Sequence, residues 1–285
     1  MPQRRIHTVD VFTSVPLMGN PVAVILDGEG LSDAQMQAIA SWTNLSETTF
    51  VLPATEADAH YTLRIFTPRS ELPFAGHPTI GSAHAILAAG LATPTNGKLV
   101  QQCGVGLVEI TVPDDWRTAG VSFRLPSHNS SPAPDPETLH RALGAAVPFV
   151  HPPHVVDVGP RWVIAQYPDE ASVRALNPDY AELAAYDHAH GSTGLTVFSE
   201  AGQGAIVTRS FAPADGVNED PVCGSGNGAA AAYRLDHGAA QAGDSYTASQ
   251  GREVGRDGHV RVTYAADGIH VGGCAVICVE GLLST

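Results

Sequence analysis

Lysine is almost missing from this 285-residue chain. Lys98 is the single one among 15 basic residues, which face 29 acidic ones for a net charge of −14. That balance argues against a general nucleic-acid or anionic-membrane surface. Long apolar runs are missing too. No stretch reaches the roughly 18 apolar residues of a membrane span, and the opening "MPQRRIHTVDVF" lacks the apolar centre of a secretory signal, so a cytoplasmic location is expected. Cysteine is scarce and scattered: Cys103, Cys223, Cys274 and Cys278 form no CxxC pair and read as free thiols in a reducing compartment. Neither a Walker lysine nor a Gly-x-Ser-x-Gly nucleophile elbow is present. With 44% hydrophobic and 15% charged residues, what remains is an ordinary globular composition, long enough for two domains or one large one.

Local patterns suggest a mixed α+β chain. "RIHTVDVF", "VAVIL", "ETTFVL" and "YTLRIF" read as strands from their alternating or β-branched apolar residues. "LSDAQMQAIASW" opens with Ser32 and has Gln35 three residues on, a capping-box pattern. "GHPTIGSAHAILAAG" places Pro78 near a helix start and Gly90 just past its end. The segment "PSHNSSPAPDP" near residues 126–136 reads as a linker, which puts one half at 1–126 and the other at 127–285. The late strands in "HVGGCAVICVEG" leave open a return of the chain to the first half.

The halves echo each other. "LSD" at 31–33 matches "LNP" at 176–178, and "IFTP" ending at Pro68 matches "SFAP" ending at Pro213, both 145 positions apart. "LPFAGHP" then matches "DPVCGSG", with Pro73 over Pro221 and Gly76 over Gly224 at 148. Three matches in nearly one register indicate duplication: two similar halves, each with a strand ending in Phe-x-Pro, a loop, and a helix that begins at a glycine-rich turn.

The first turn of each such helix offers unpaired N–H groups and a positive dipole end, suited to a carboxylate or phosphate; the plainer alternative is that glycine and serine simply make a turn. "GSGNGA" at 224–229 fits a dinucleotide fingerprint in letters, but the preceding "ADGVNEDPVC" is loop-like where a strand is required. Acid and base candidates lie in or beside the same turns: His77 in one, Asp220 and Ser225 in the other, and Glu47 at the start of a strand, where partial desolvation would raise a carboxylate pKa. His84, His151 and His154 read as packing or surface residues, because none pairs with carboxylates at metal-ligand spacing.

Together "DVFTSVPLMGNPVAV", "NLSETTFV", "FTPRSELPFAGHPTIGSAHA" and "NEDPVCGSGNGA", spread over residues 10–229, resemble the phenazine biosynthesis PhzF-like isomerase family. The resemblance implies a diaminopimelate epimerase-like fold, two pseudo-symmetric halves each wrapping a sheet around a central helix. It implies a site in the cleft between the halves with no metal or organic cofactor, a small carboxylate-bearing substrate, and a homodimer. By motif, Glu47 would be the acid/base; His77, Asp220 and Ser225 would hold the substrate's polar groups, and Gly76, Gly224, Gly226 and Cys223 would line the binding turns. The best-known family reaction isomerises trans-2,3-dihydro-3-hydroxyanthranilate. Related epimerases use one cysteine from each half; Cys223 stands at the second cysteine's place, but Ala75 stands at the first. A thiol at a helix N-terminus is expected to have a lowered pKa, which leaves Cys223 either an auxiliary acid or a packed small residue. An amino-acid epimerase and a metabolite-binding protein are the alternative functions.

Overall fold

The computed structural model describes residues 2–202 and 204–285. The chain divides into two compact units, Met1–Phe123 with Gly272–Thr285, and Arg124–Val271. The first contains β1 (Gln3–Val11), β2 (Asn20–Ile25), α1 (Asp33–Thr43), β3 (Thr48–Leu52), β4 (Tyr61–Phe66), β5 (Glu71–Leu72), α2 (Gly76–Ala88), β6 (Lys98–Cys103), β7 (Gly106–Thr111), α3 (Trp116–Ala119) and β8 (Val121–Arg124), at whose end the division falls. The second contains β9 (Asn129–Pro132), α4 (Pro136–Ala142), β10 (His154–Asp157), β11 (Arg161–Gln166), α5 (Glu170–Arg174), α6 (Tyr180–His190), β12 (Gly194–Glu200), β13 (Ile206–Ala212), β14 (Val217–Asp220), α7 (Gly224–Asp236), β15 (Ser245–Gln250), β16 (Gly258–Ala265) and β17 (Gly268–Gly273), within which the chain returns to the first unit at Gly272. The last strand, β18 (Ala275–Ser284), pairs with β1 in the first unit.

In the first unit the strands run β18-β1-β2-β3-β4-β6-β7-β8, antiparallel except at β2/β3 and β4/β6. In the second they run β9-β10-β11-β12-β13-β15-β16, antiparallel except at β11/β12 and β13/β15. Parallel neighbours need a crossover, and helices supply it in both units: α1 between β2 and β3, α2 between β4 and β6, α6 between β11 and β12, α7 between β13 and β15.

The second crossover helix of each unit lies inside its sheet. α2 packs on β1, β2, β3 and β18, and α7 on β10, β11, β12 and β16. Apart from Ser225, residues 224–234 of α7 are all buried, and α2 is buried from Gly76 through Ala83. Small and apolar residues on every face are what an enclosed helix requires. The outer helices cover the opposite sheet faces. α1 is fixed by the expected capping box, with Ser32 and Gln35 bonding each other's backbone N–H, and it buries Met36 and Ala40 with Ile25, Phe50 and Phe66. α4 and α6 close a larger core of Leu139, Leu143, Tyr167, Leu183, Tyr186 and Phe211.

Three expectations need correction. "PSHNSSPAPDP", read as a linker, follows closely on the division between the units at Phe123/Arg124, but it contains a strand: residues 129–132 form β9, paired antiparallel to β10 with Pro132 opposite His154. The first N-cap of one half, Ser32, corresponds to Asp179 of the other, so the helices align at 147 positions, and "LNP" precedes the cap it was matched to. The loop-like "ADGVNEDPVC" contains β14, hydrogen-bonded to β13 through Ser210/Asp220 and Ala212/Val217 with a bulge between. Its polar side chains hide the strand because β14 is short and only half-buried.

Candidate active site

Glu47 is the residue just before β3, three positions after Asn44, the left-handed residue (φ 53°) that ends α1. Its backbone carbonyl accepts from Ala23 N–H at 3.4 Å. His77 is the second residue of α2, and its Nδ1 lies 3.4 Å from Glu47 Oε2, with the two side chains 7% and 15% exposed respectively. Burial pushes the His77 pKa down to about 4, against the opposing effect of a hydrogen bond to the Pro21 backbone. The ring is therefore neutral at pH 7, and the contact with Glu47 is not an ion pair. His77 Nε2 is buried with no hydrogen-bond partner among the described residues.

The start of α2 is left open. Ala75 at the N-cap has an extended backbone (φ −151°, ψ 137°) and supplies no capping side chain, and Pro78 has no N–H. The backbone donors of this first turn are therefore Gly76 and His77. Gly76 also lets the helix start against Phe123, whose ζ carbon would lie 2.8 Å from a Cβ at that position.

The second mouth is knit by polar bonds. Cys223 is the N-cap of α7, and its Sγ accepts from Gly226 N–H at 3.2 Å. Asp220 Oδ1 accepts from Val222 N–H at 3.0 Å. Ser225 Oγ accepts from the Trp162 indole N–H at 3.0 Å and lies 3.7 Å from Cys223 Sγ, where either group can donate. A Cβ on Gly226 would fall 2.3 Å from Thr196 Oγ1, so only glycine permits this close approach to β12. Ahead of the turn, Arg209 and Glu219 form a buried two-pronged ion pair at 2.8 Å on each arm. That pair anchors β14 to β13 directly before Asp220.

The electrostatics of this mouth overturn one expectation. The Cys223 thiol is pushed well above its ordinary pKa, first by burial and then by the Asp220 charge, despite the Gly226 N–H. Desolvation outweighs the helix N-terminus, so Cys223 is a neutral thiol. Asp220 itself is raised to about 6, mainly by burial, with the Val222 N–H and Cys223 pulling down and Glu219 pushing up.

The structure thus brings Glu47 and His77 together in one unit, and Asp220, Cys223, Gly224, Ser225 and Gly226 together in the other. Sequence reading missed Trp162, Asn227 and Gln250. Gln250 had a signal: Tyr246, Ala248 and Gln250 are the buried alternate positions of β15, and a polar residue on the inward side of a strand needs a partner. Among the described residues no group of three or more His, Cys, Asp or Glu is placed to hold a metal. No helix among them is long and apolar enough to cross a membrane.

The family model for phenazine biosynthesis-like proteins, PhzC-PhzF, matches residues 9–281, and the chain belongs to that family of isomerases. A trans-2,3-dihydro-3-hydroxyanthranilate isomerase of Pseudomonas chlororaphis is 37% identical over 250 residues, covering 87% of this chain and 86% of its own. A protein of Schizosaccharomyces pombe named antisense-enhancing sequence 1 is 40% identical over 99% of both chains. The crystal structure of a Bacillus anthracis PhzF-family phenazine biosynthesis protein superposes with a TM-score of 0.87 at 24% identity over the whole of both chains. A hydroxyproline epimerase of Agrobacterium vitis shares the fold at a TM-score of 0.64 and 13% identity, over 99% of this chain and 92% of its own. The fold is therefore the epimerase-like one that the family resemblance implied.

Proposed function

We propose that this isomerase moves a proton between carbons of a small carboxylate-bearing substrate resembling dihydro-hydroxyanthranilate, with Glu47 as the acid/base. The observation that carries the reading is the largely buried Glu47 carboxylate against a neutral imidazole, beside the uncapped start of α2. The 37% identical isomerase of Pseudomonas chlororaphis supplies the substrate class. Glu47 takes the proton as a C–H bond breaks, and the electron pair shifts through the conjugated system. A new C–H bond then forms at another carbon from the same carboxylic acid. Electrons balance within the substrate, so the step calls for no redox partner.

His77, neutral at working pH, presents one donor and one acceptor, and with the Gly76 and His77 N–H groups it stabilises the carbanion-like state. Asp220 and Ser225 are assigned the substrate's polar groups. A two-thiol epimerase mechanism lacks its first-half partner, since Ala75 stands there, and the second thiol is held protonated.

The test is proton NMR in heavy water with trans-2,3-dihydro-3-hydroxyanthranilate. Deuterium should enter one ring carbon with the wild-type protein and not with Glu47→Gln. Exchange that persists in the variant removes Glu47 from the mechanism, and no exchange with the wild type removes this substrate.

A further inference from the structure

We propose that Gln250 is the positioning residue of the second mouth: its side-chain amide is inserted into the Asp220–Cys223 turn and sets the turn's width. In a closed four-residue turn the first carbonyl accepts from the fourth N–H. Here those groups are Asp220 C=O and Cys223 N–H, and both are taken by Gln250. Its Nε2 donates to Asp220 O at 2.9 Å, and its Oε1 accepts from Cys223 N at 3.1 Å. The backbone partners also fix which way the amide points, because a carbonyl can only accept and an N–H can only donate.

The inserted amide is braced from behind. Oε1 also accepts from Asn227 Nδ2 at 2.8 Å and from Thr208 Oγ1 at 3.2 Å, and Asn227 Nδ2 reaches Cys223 O at 2.8 Å. Gln250 is 1% exposed, so water cannot replace any of these partners. The next residue closes the clamp. Gly251 has φ +101°, and a Cβ there would fall 2.3 Å from Pro221 O, so the end of β15 is pressed onto the turn. The turn can neither collapse nor drift, and with Val222 N–H tied to Asp220 Oδ1 the carboxyl is aimed by the loop's own shape.

Asp220's importance to the reaction rests on the proposed function; the structural claim about Gln250 does not. The titratable and charged groups that act on Asp220 are Glu219, itself paired with Arg209, and the Cys223 thiol.

The experiment follows the Asp220 carboxyl by carbon-13 NMR across pH, assigned with Asp220→Asn, together with the Cys223 amide resonance, in the full chain. Gln250→Met keeps the volume and loses both turn bonds; the Asp220 midpoint should move by half a pH unit or more and the Cys223 amide should shift. Gln250→Glu gives a signature that a packing role would not. Protonated, the acid can still donate to Asp220 O and accept from Cys223 N–H, so wild-type resonances should return as pH falls and vanish as it rises. Unchanged Asp220 titration and Cys223 amide in both variants overturn the proposal. If neither variant folds, Thr208→Val removes one brace without touching the turn; a smaller shift in the same direction supports the proposal, and none overturns it. These readouts need no substrate, so failure of the isomerase assay leaves them decisive.

Discussion

Where the first half carries Glu47, the second carries Gly194, each three positions after the left-handed residue that ends a helix, Asn44 (φ 53°) and Gly191 (φ 63°). Glu47 faces His77. Gly194 has no side chain, and the Trp162 ring fills the space: a Cβ on Gly194 would lie 2.9 Å from its ζ3 carbon. The Trp162 indole then bonds Ser225, which stands at the place of His77. The two mouths also share a close approach of glycine to proline, Gly104 on Pro73 and Gly251 on Pro221. The residue before each glycine differs, Cys103 against Gln250. Cys103 Sγ turns to Gly106 O at 3.6 Å, whereas Gln250 enters its turn. Duplication has thus kept the backbone plan and divided the chemistry, with the candidate base in one half and a locked set of donors in the other.

The largest effects should come from the positions where the halves diverge most. Glu47→Gln is expected to cost about 10²–10⁴-fold in turnover, the scale of losing a positioned acid/base, with little change in unfolding free energy. Gly194→Ala should do the reverse, because its Cβ would fall 2.2 Å from Phe211 O, and overpacking of this kind costs about 1–3 kcal/mol. Urea unfolding and turnover measured on both variants separate the two roles. A Gly194→Ala protein of full stability would break the register on which the comparison stands.

Much of this plan could be read from the residues. The glycine-rich turns, Pro78 and Gly90, and the Ser32/Gln35 box are local signals, and local physics decides them. The candidate pair Glu47/His77 was legible only through the family motifs, since nothing in "NLSET" alone distinguishes a buried glutamate from an edge residue. The lowered pKa expected of Cys223 does not hold, because proximity to a helix N-terminus is visible in sequence while the degree of burial is not. β14 and β9 were hidden by prolines and polar side chains, which edge and short strands tolerate. Gln250 lies 30 residues from Asp220, and only the pairing of β15 with β13 brings them together.

His77 and Asp220, one in each mouth, should also respond oppositely to acid. In the first unit burial holds His77 and His84 neutral, each with a pKa lowered to about 4, and lowers that of His7 as well. A histidine whose folded pKa lies below its unfolded value of about 6.5 costs stability as pH falls through that window, by about 3 kcal/mol at most for a drop to 4. Asp220 has the opposite sign. Its folded value of about 6 exceeds the unfolded one of about 3.9, so its charge destabilises the fold above pH 6, and that cost is relieved on acidification. Guanidinium unfolding from pH 7 to 4.5 should show a net loss that His77→Gln reduces. Asp220→Asn should raise stability at pH 7, with a gain that disappears by pH 4. Identical pH slopes in wild type and His77→Gln would contradict the neutral, buried ring.

The smallest effects concern the caps. Cys223→Ala removes the Sγ that accepts from Gly226 N–H and should cost about 0.5–1 kcal/mol; Cys223→Ser keeps an acceptor and should cost less, with turnover reduced only slightly in both. The reciprocal change, Ala75→Ser, offers α2 the side chain its N-cap lacks. A serine there would normally bond the second or third N–H of the helix, but the third residue is Pro78, so only His77 N–H can respond. The gain in stability should therefore fall below the usual ~1 kcal/mol, and any bond that does form takes a donor from the substrate. Ala75→Ser is expected to trade a few tenths of a kcal/mol of stability for a clear loss of kcat. If it stabilises fully and leaves exchange intact, the open start of α2 plays no part in binding, and the difference between the two mouths reduces to Glu47 and Gly194.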